Sequence, residues 1–179
     1  SDSAGTGSVS AMSGQTAANI QTSTTTSSYA IMTWQGAAGI VGLGYMQGYA
    51  RDAHLRARVK FSAVDANARI LLGFACDNGL PQGTDGLFFG VDGTVSTDYF
   101  IAVARNGGLA TTTVLDGGSG AYVAAADTIW HEVEIICDST AAEVRYYVDK
   151  QLVATINEDL PDDADDYFMP HFSAQNGAT

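Results

Sequence analysis

A period of two runs through most of this chain after Tyr29. It is strictest from His54 to Phe61, where Leu55, Ala57, Val59 and Phe61 face one way and His54, Arg56, Arg58 and Lys60 the other. The stretch from Arg69 to Cys76 repeats the pattern, with Ile70, Leu72, Phe74 and Cys76 inward. Further strands are predicted at Tyr29 to Trp34, Gly86 to Val91, Asp98 to Ala104, Leu109 to Leu115, Ile129 to Cys137, Ala142 to Val148, Leu152 to Ile156 and Tyr167 to Ala174. Asp92-Gly93, Asn106-Gly107-Gly108 and Asp149-Lys150 supply turn chemistry between them. No window sustains a 3.6-residue period, so no long helix is predicted. Many short strands at spacings of roughly ten residues point to an all-β, two-sheet antiparallel sandwich.

The first 28 residues break the pattern. Ser1 to Ser28 is almost wholly Ser, Thr, Ala, Gly and Gln, ending in Thr22-Ser23-Thr24-Thr25-Thr26-Ser27-Ser28. So little apolar surface cannot offset the entropy of ordering, so residues 1–28 are expected to form an extended arm and residues 29–179 the sandwich domain.

Composition narrows the functional classes. At 179 residues and 46% hydrophobic, the chain can bury a core without a metal or disulfide to help it. Its 20 Asp and Glu against eight Lys and Arg give a net charge of −12, which repels nucleic acid and anionic membranes. There is no apolar run of the roughly 18 residues a membrane helix needs. Cys76 and Cys137 lie in apolar runs and read as buried free thiols. With His54, His131 and His171 the only histidines, none at ligand spacing, no zinc site is expected. The basic row Arg56, Arg58 and Lys60 is the sharpest charge pattern; it reads as a candidate interaction row or as the cross-strand partner of Glu132 and Glu134.

Three segments carry a family resemblance. Trp130-His131-Glu132-Val133-Glu134-Ile135 resembles the W-H-x-V-x-I strand of concanavalin A-like and laminin G-like domains. The run from Val144 to Ala154 resembles their v-x-f-Y-v-D-G-x-l-v-a hairpin, and Asp98 to Val103 with Asn106-Gly107 the strand and turn before it. The resemblance implies a jelly-roll sandwich from about Tyr29 to Ala174, with Trp130 capping its core. The chain departs at Lys150, where the family places Gly, so a longer or less tight turn is expected. Family domains also end in one more strand than is legible here, a place that a continuing chain, the strand near Tyr29 or a neighbour's arm would fill.

The family contains several functions, so each was weighed on residues. A glycosidase needs two carboxyls roughly 5–10 Å apart. The nearest match is Glu132-Val133-Glu134, with Ile136 where a third acid would stand, and there is no Gly-x-Ser-x-Gly elbow. No catalytic residue, metal ligand or cofactor is therefore assigned; the acidic run Glu158 to Asp166 offers oxygen ligands for calcium but not at EF-hand spacing. A lectin-like module would use aromatics, for which Tyr45, Tyr49, Tyr122 and Tyr147 are the candidate glycan or partner contacts. The leading expectation, implied by the resemblance together with the Ser/Thr-rich arm, is a non-enzymatic virion structural protein of a tailed phage, as a capsid decoration or a fibre or tail surface protein. Its partners would be other virion proteins and further copies of itself in a homo-oligomer, with a glycan as the alternative ligand and an extracellular setting as the alternative to the virion.

Overall fold

The computed structural model describes residues 8–11, 18–21, 28–33, 46–47, 52–61, 66–75, 85–117, 126–161 and 167–176, with side chains for 52–61, 66–75, 85–117, 126–161 and 170–175. All regular structure among them is strand: β1 Ser8–Ala11, β2 Ala18–Gln21, β3 Ser28–Thr33, β4 Met46–Gln47, β5 Ala53–Val59, β6 Ala68–Ala75, β7 Gly86–Asp92, β8 Ser96–Asn106, β9 Leu109–Val114, β10 His131–Asp138, β11 Glu143–Val148, β12 Gln151–Ile156 and β13 Tyr167–Asn176. The smaller sheet runs β12-β11-β10-β5 and the larger β3-β13-β6-β7-β8-β9, with β4 pairing the start of β13. Every pairing is antiparallel. The chain crosses between these sheets after β4, β5, β9 and β12, and runs as hairpins through β6–β9 and β10–β12.

Alternation explains the layering. The small sheet contributes Val133, Ile135 and Cys137 from β10, Val144, Tyr146 and Val148 from β11, and Val153 and Ile156 from β12. The large sheet meets them with Leu72, Phe74, Leu87, Phe89, Val91, Phe100, Ala102 and Ala104. Phe61, Phe100 and Phe89 form a tilted aromatic row with centroids 5.4 and 5.0 Å apart. Cys137 is a buried free thiol, pushed up to about 12 by burial and by the nearby charge of Asp52. Cys76 lies outside the described residues.

Tyr146 ties the two sheets together. Its ring is fully buried and its hydroxyl donates to the Val103 carbonyl at 2.8 Å. Burial holds the phenol far above its usual range, so it stays a donor at every accessible pH.

The stretch expected to be an extended arm contains structure of its own. β1 and β2 pair as an antiparallel unit, with Val9 opposite Ile20. β3 then joins the large sheet beside β13, with His171 opposite Thr33 and Asn176 opposite Ser28. The strand near Tyr29 thus fills the edge place next to the last strand.

Two expectations drawn from the resemblance are corrected. Trp130 does not cap the core: it is 42% exposed, with the Arg58 guanidinium 5.4 Å above its ring. The parity of β10 puts odd residues inward, so His131 takes the core-facing place. The Asp149-Lys150 turn is not loose either. Val148 pairs Gln151 directly, and φ is 49° at Asp149 and 70° at Lys150, the left-handed pair a two-residue type I′ hairpin demands. Lys150 bears the strain that glycine would avoid.

Two substitutions test this account. Lys150→Gly is expected to stabilise by about 0.5–1 kcal/mol, raising Tm by roughly 1–4 °C; a lower Tm would contradict the turn assignment. Tyr146→Phe is expected to cost about 1–2 kcal/mol, since it leaves the Val103 carbonyl buried without its donor. Urea unfolding at unchanged m-value measures that cost.

Candidate functional site

The residues singled out in the sequence gather, where described, on the outer face of the small sheet. Arg56 lies opposite Glu134, and Glu134 lies opposite Tyr147, so one row crosses three strands. Arg56 reaches Glu132 at 2.6 Å and Glu134 at 3.2 Å. The hydrogen bond and charge of Glu132 hold its guanidinium above its usual range. Arg58 is engaged by the Trp130 ring, and Lys60 is exposed at the strand end. Tyr147 is half-buried between this lattice and Leu152. A second lattice stands at the far end, where Arg145 contacts Glu143 at 2.5 Å and Asp138 at 3.0 Å. Tyr45, Tyr49 and Tyr122 lie outside the described residues. Glu132 and Glu134, the nearest match to a glycosidase pair, both face solvent here and share one arginine.

The acidic run is described only as far as Pro161. Asp159 accepts from the Thr111 hydroxyl at 2.7 Å, and the Leu160 carbonyl accepts from Asn106 at 2.9 Å, so the loop is stitched to the β8–β9 hairpin. Among the described residues no cluster of His, Cys, Asp and Glu has the makings of a metal site.

Sequence reasoning missed two constellations. The first is His131, nearly buried against Phe100 at an edge-on 5.3 Å and held between two carboxylates. Its Nδ1 meets Asp149 at 2.7 Å and its Nε2 meets Asp127 at 2.9 Å. Carboxylates only accept, so both ring nitrogens donate and the ring is an imidazolium. Burial opposes the charge, but the two hydrogen bonds and the two charges outweigh it, and the pKa rises. Asp127 is lowered by the Ile129 amide and then by His131. Burial raises Asp149, but the Glu132 amide and His131 bring it down overall. The Asp149 amide in turn donates to the Glu132 carbonyl at 2.8 Å. This is a clamp between the start of β10 and the β11–β12 turn. The signal was the alternation itself, which places His131 on the Val133 face.

The second constellation lies on the outer face of the large sheet. Strand parity puts Leu71, Phe88, Ile101 and Val103 there, and they are buried as a second apolar layer. β7 is consequently buried along its whole length. Gly73 must be glycine, since a Cβ would sit 1.9 Å from the Leu87 carbonyl oxygen. Polar groups rim this layer. Arg69 Nε meets Asp92 Oδ2 at 2.6 Å, and the other Asp92 oxygen accepts from the Thr94 amide at 3.1 Å and its hydroxyl at 2.6 Å. His171 and Ser173 from β13 are buried on the same face, His171 edge-on to Phe88 at 5.7 Å. Arg105 is partly buried and extends into the field of Arg69 and Asp92; burial and Arg69 lower its pKa, with Asp92 opposing.

The order of hairpins and sheet crossings now on the page decides the architecture. It is an all-β, two-sheet antiparallel sandwich. No protein-family model and no curated protein matches the sequence. Similar solved structures include a carbohydrate esterase from the Shiga toxin-encoding bacteriophage phi24B, 13% identical with TM-score 0.49 over 98% of this chain and 89% of that one. They also include the Bacillus licheniformis β-glucanase, 17% identical with TM-score 0.45 over 75% of this chain and 55% of that one. A third is the carbohydrate recognition domain of Emp47p, 13% identical with TM-score 0.42 over 74% of this chain and 68% of that one. The chain spans little more than half of the glucanase structure.

The clamp generates a pH prediction. His131 has a raised folded pKa, so its contribution is full below the unfolded value of about 6.5 and fades as pH climbs through the folded value. Asp127 and Asp149 are depressed, so theirs is full above about pH 4 and fades as pH falls. Tm is expected to peak near about pH 5–6 and decline toward pH 8–9, and His131→Gln is expected to flatten the alkaline decline. Melting curves of both proteins across that range check it; parallel profiles would contradict an imidazolium at this position.

Proposed function

We propose that this chain is a non-enzymatic structural module of a virus particle, a tailed phage's capsid decoration or fibre or tail surface protein, which assembles through its N-terminal stretch and sheet edges into a homo-oligomer. The observation that carries the reading is the placement of β3. The Ser/Thr-rich stretch feeds directly into an edge strand of the larger sheet, so pull on that stretch is borne by a ladder of main-chain hydrogen bonds to β13. The paired carboxylates that an enzyme would use support the same reading from the other side. Glu132 and Glu134 share Arg56 on an open sheet face, and Asp92 is committed to Arg69 and Thr94. The charge surplus of the acidic surface keeps crowded copies from clumping.

Light scattering after size-exclusion chromatography tests the assembly. The full chain is expected to elute as a defined oligomer; a monomer that persists to millimolar concentration overturns that part. Release of reducing ends from a β-glucan, abolished by Glu132→Gln or Glu134→Gln, would overturn the non-enzymatic part.

A second reading, a glycan-binding module, is favoured by one specific observation. Arg105 presents a partly buried cation on the outer face of the larger sheet, and among the described residues its Nε makes no hydrogen bond.

A further inference from the structure

The two edges of the smaller sheet differ. In the order β12-β11-β10-β5, each end strand pairs one neighbour among the described strands. β12 is blunted. Ala154 lies opposite Tyr146 and Leu152 opposite Tyr147, which leaves Val153 as an extra, bulged residue. Its core-facing Val153, Ala154 and Ile156 are all buried. β5 has no such protection. It keeps an unbroken register with β10 from Ala53 to Val59 and contains no proline, glycine or bulge. Ala53 and Val59 are buried at its ends, whereas Leu55 and Ala57, on the same core-facing side, are only partly covered. A straight edge strand with half-covered apolar side chains is a template for one more strand.

The outer row of β5 selects what that strand can be. His54, Arg56, Arg58 and Lys60 are all exposed along it. Folding accounts for where they stand, because β10 sets Glu134 opposite Arg56 and Glu132 opposite Arg58. It does not neutralise them. Both glutamates close on Arg56, at 2.6 and 3.2 Å, and His54 comes only within 3.9 Å of Glu134. Arg58 lies over the Trp130 ring, and among the described residues neither it nor Lys60 has an acid in ion-pair reach. A second β5 would set this row against its own like charges, which disfavours pairing between copies here. The N-terminal stretch of a copy offers one acid, Asp2, in its 28 residues. Acids at alternate positions are what the row accepts, and β10 shows the pattern in Glu132-Val133-Glu134-Ile135.

We propose that the free edge of β5 takes up an extended acidic segment of a partner protein, with acids at alternate positions, as an added strand of the smaller sheet. The proposal goes beyond assembly of the chain with its own copies and stands whether or not that oligomer forms. Acids on the outer side of the added strand pair Arg58 and Lys60, and apolar residues on its other side cover Leu55 and Ala57. The main-chain ladder supplies affinity and the basic row supplies the choice of partner. The net charge of −12 opposes an acidic partner at long range. Salt at about 0.15 M screens charges beyond about 8 Å, so the contact pairs decide.

The test is calorimetric titration of the full chain, at neutral pH in physiological salt, with the peptide acetyl-Glu-Val-Glu-Ile-Glu-Val-amide and its counterpart with lysine for each glutamate. The acidic peptide is expected to bind at least tenfold more tightly. Of two forms of it N-methylated at alternate residues in opposite phases, one is expected to lose binding at least tenfold and the other to keep it, because only one phase turns its N–H groups toward β5. Hydrogen-exchange protection on binding is expected at the β5 amides. Arg58→Gln with Lys60→Gln is expected to weaken the acidic peptide at least fivefold at nearly unchanged Tm, since exposed charges add little stability. Lys60→Gln alone is expected to give a smaller loss. No binding of the acidic peptide, equal binding of the lysine peptide, or retention by both N-methylated forms overturns the proposal. Full binding to the folded double variant overturns the role of the basic row, and protection at β3 or β9 in place of β5 overturns the edge assignment.

Discussion

The sandwich depends on the parity of β10. This strand sits between β5 and β11 and sends His131, Val133, Ile135 and Cys137 into the core and Glu132, Glu134, Ile136 and Asp138 outward. A slip of one residue would bury three carboxylates and expose three apolar side chains, so the register is strongly specified on both faces. Each face also has its own lock. Outside, Arg56 bridges Glu132 and Glu134; inside, His131 is pinned to Asp149, whose backbone and side chain both bond Glu132. The exposed ion pairs add little energy singly. Their value is that the wrong register leaves them all unmade. The tight turn at Asp149-Lys150 belongs to the same device, because Asp149 serves at once as turn residue, His131 partner and acceptor for the Glu132 amide.

The large sheet follows a different rule. A sheet with one wet face alternates, yet β7 and the middle of β8 are buried on both faces. Small residues make this workable: Gly73 and Gly90 let neighbouring strands approach where a Cβ would collide with backbone. A second apolar layer on the outer face lowers the dielectric around whatever polar groups lie at its rim. That strengthens the Arg69–Asp92 pair and makes any unmatched charge more expensive. The two outer faces therefore contrast physically: among the described residues the small sheet's carries solvent-facing ion pairs, whereas the large sheet's carries a buried apolar layer.

Most of the strand pattern was legible because each strand has at least one face that obeys a period of two. The β6–β9 and β10–β12 meanders follow from Asp92-Gly93, Asn106-Gly107 and Asp149-Lys150. What could not be read is set by contacts remote in sequence. In the sequence His131 stood out only as a histidine at no ligand spacing beside Trp130; its role depends on Asp127 and Asp149, which only the fold brings together. Trp130 was assigned to the core on resemblance, whereas counting from Val133 would have put it outside. Arg105 looked like a turn residue before Asn106-Gly107. Register instead makes it the last outward-facing residue of β8, opposite Gly86 and at the far end of β7 from Asp92.

The same logic separates structure from function among the charged residues. Arg56, Arg58 and Arg145 each have a partner that strand pairing supplies, so their positions follow from folding alone. Arg105 differs among the described residues: its Nε is shut off from solvent and makes no hydrogen bond there, and the main-chain ladders that hold β8 in place do not involve its side chain, so strand pairing alone does not account for a guanidinium at this position.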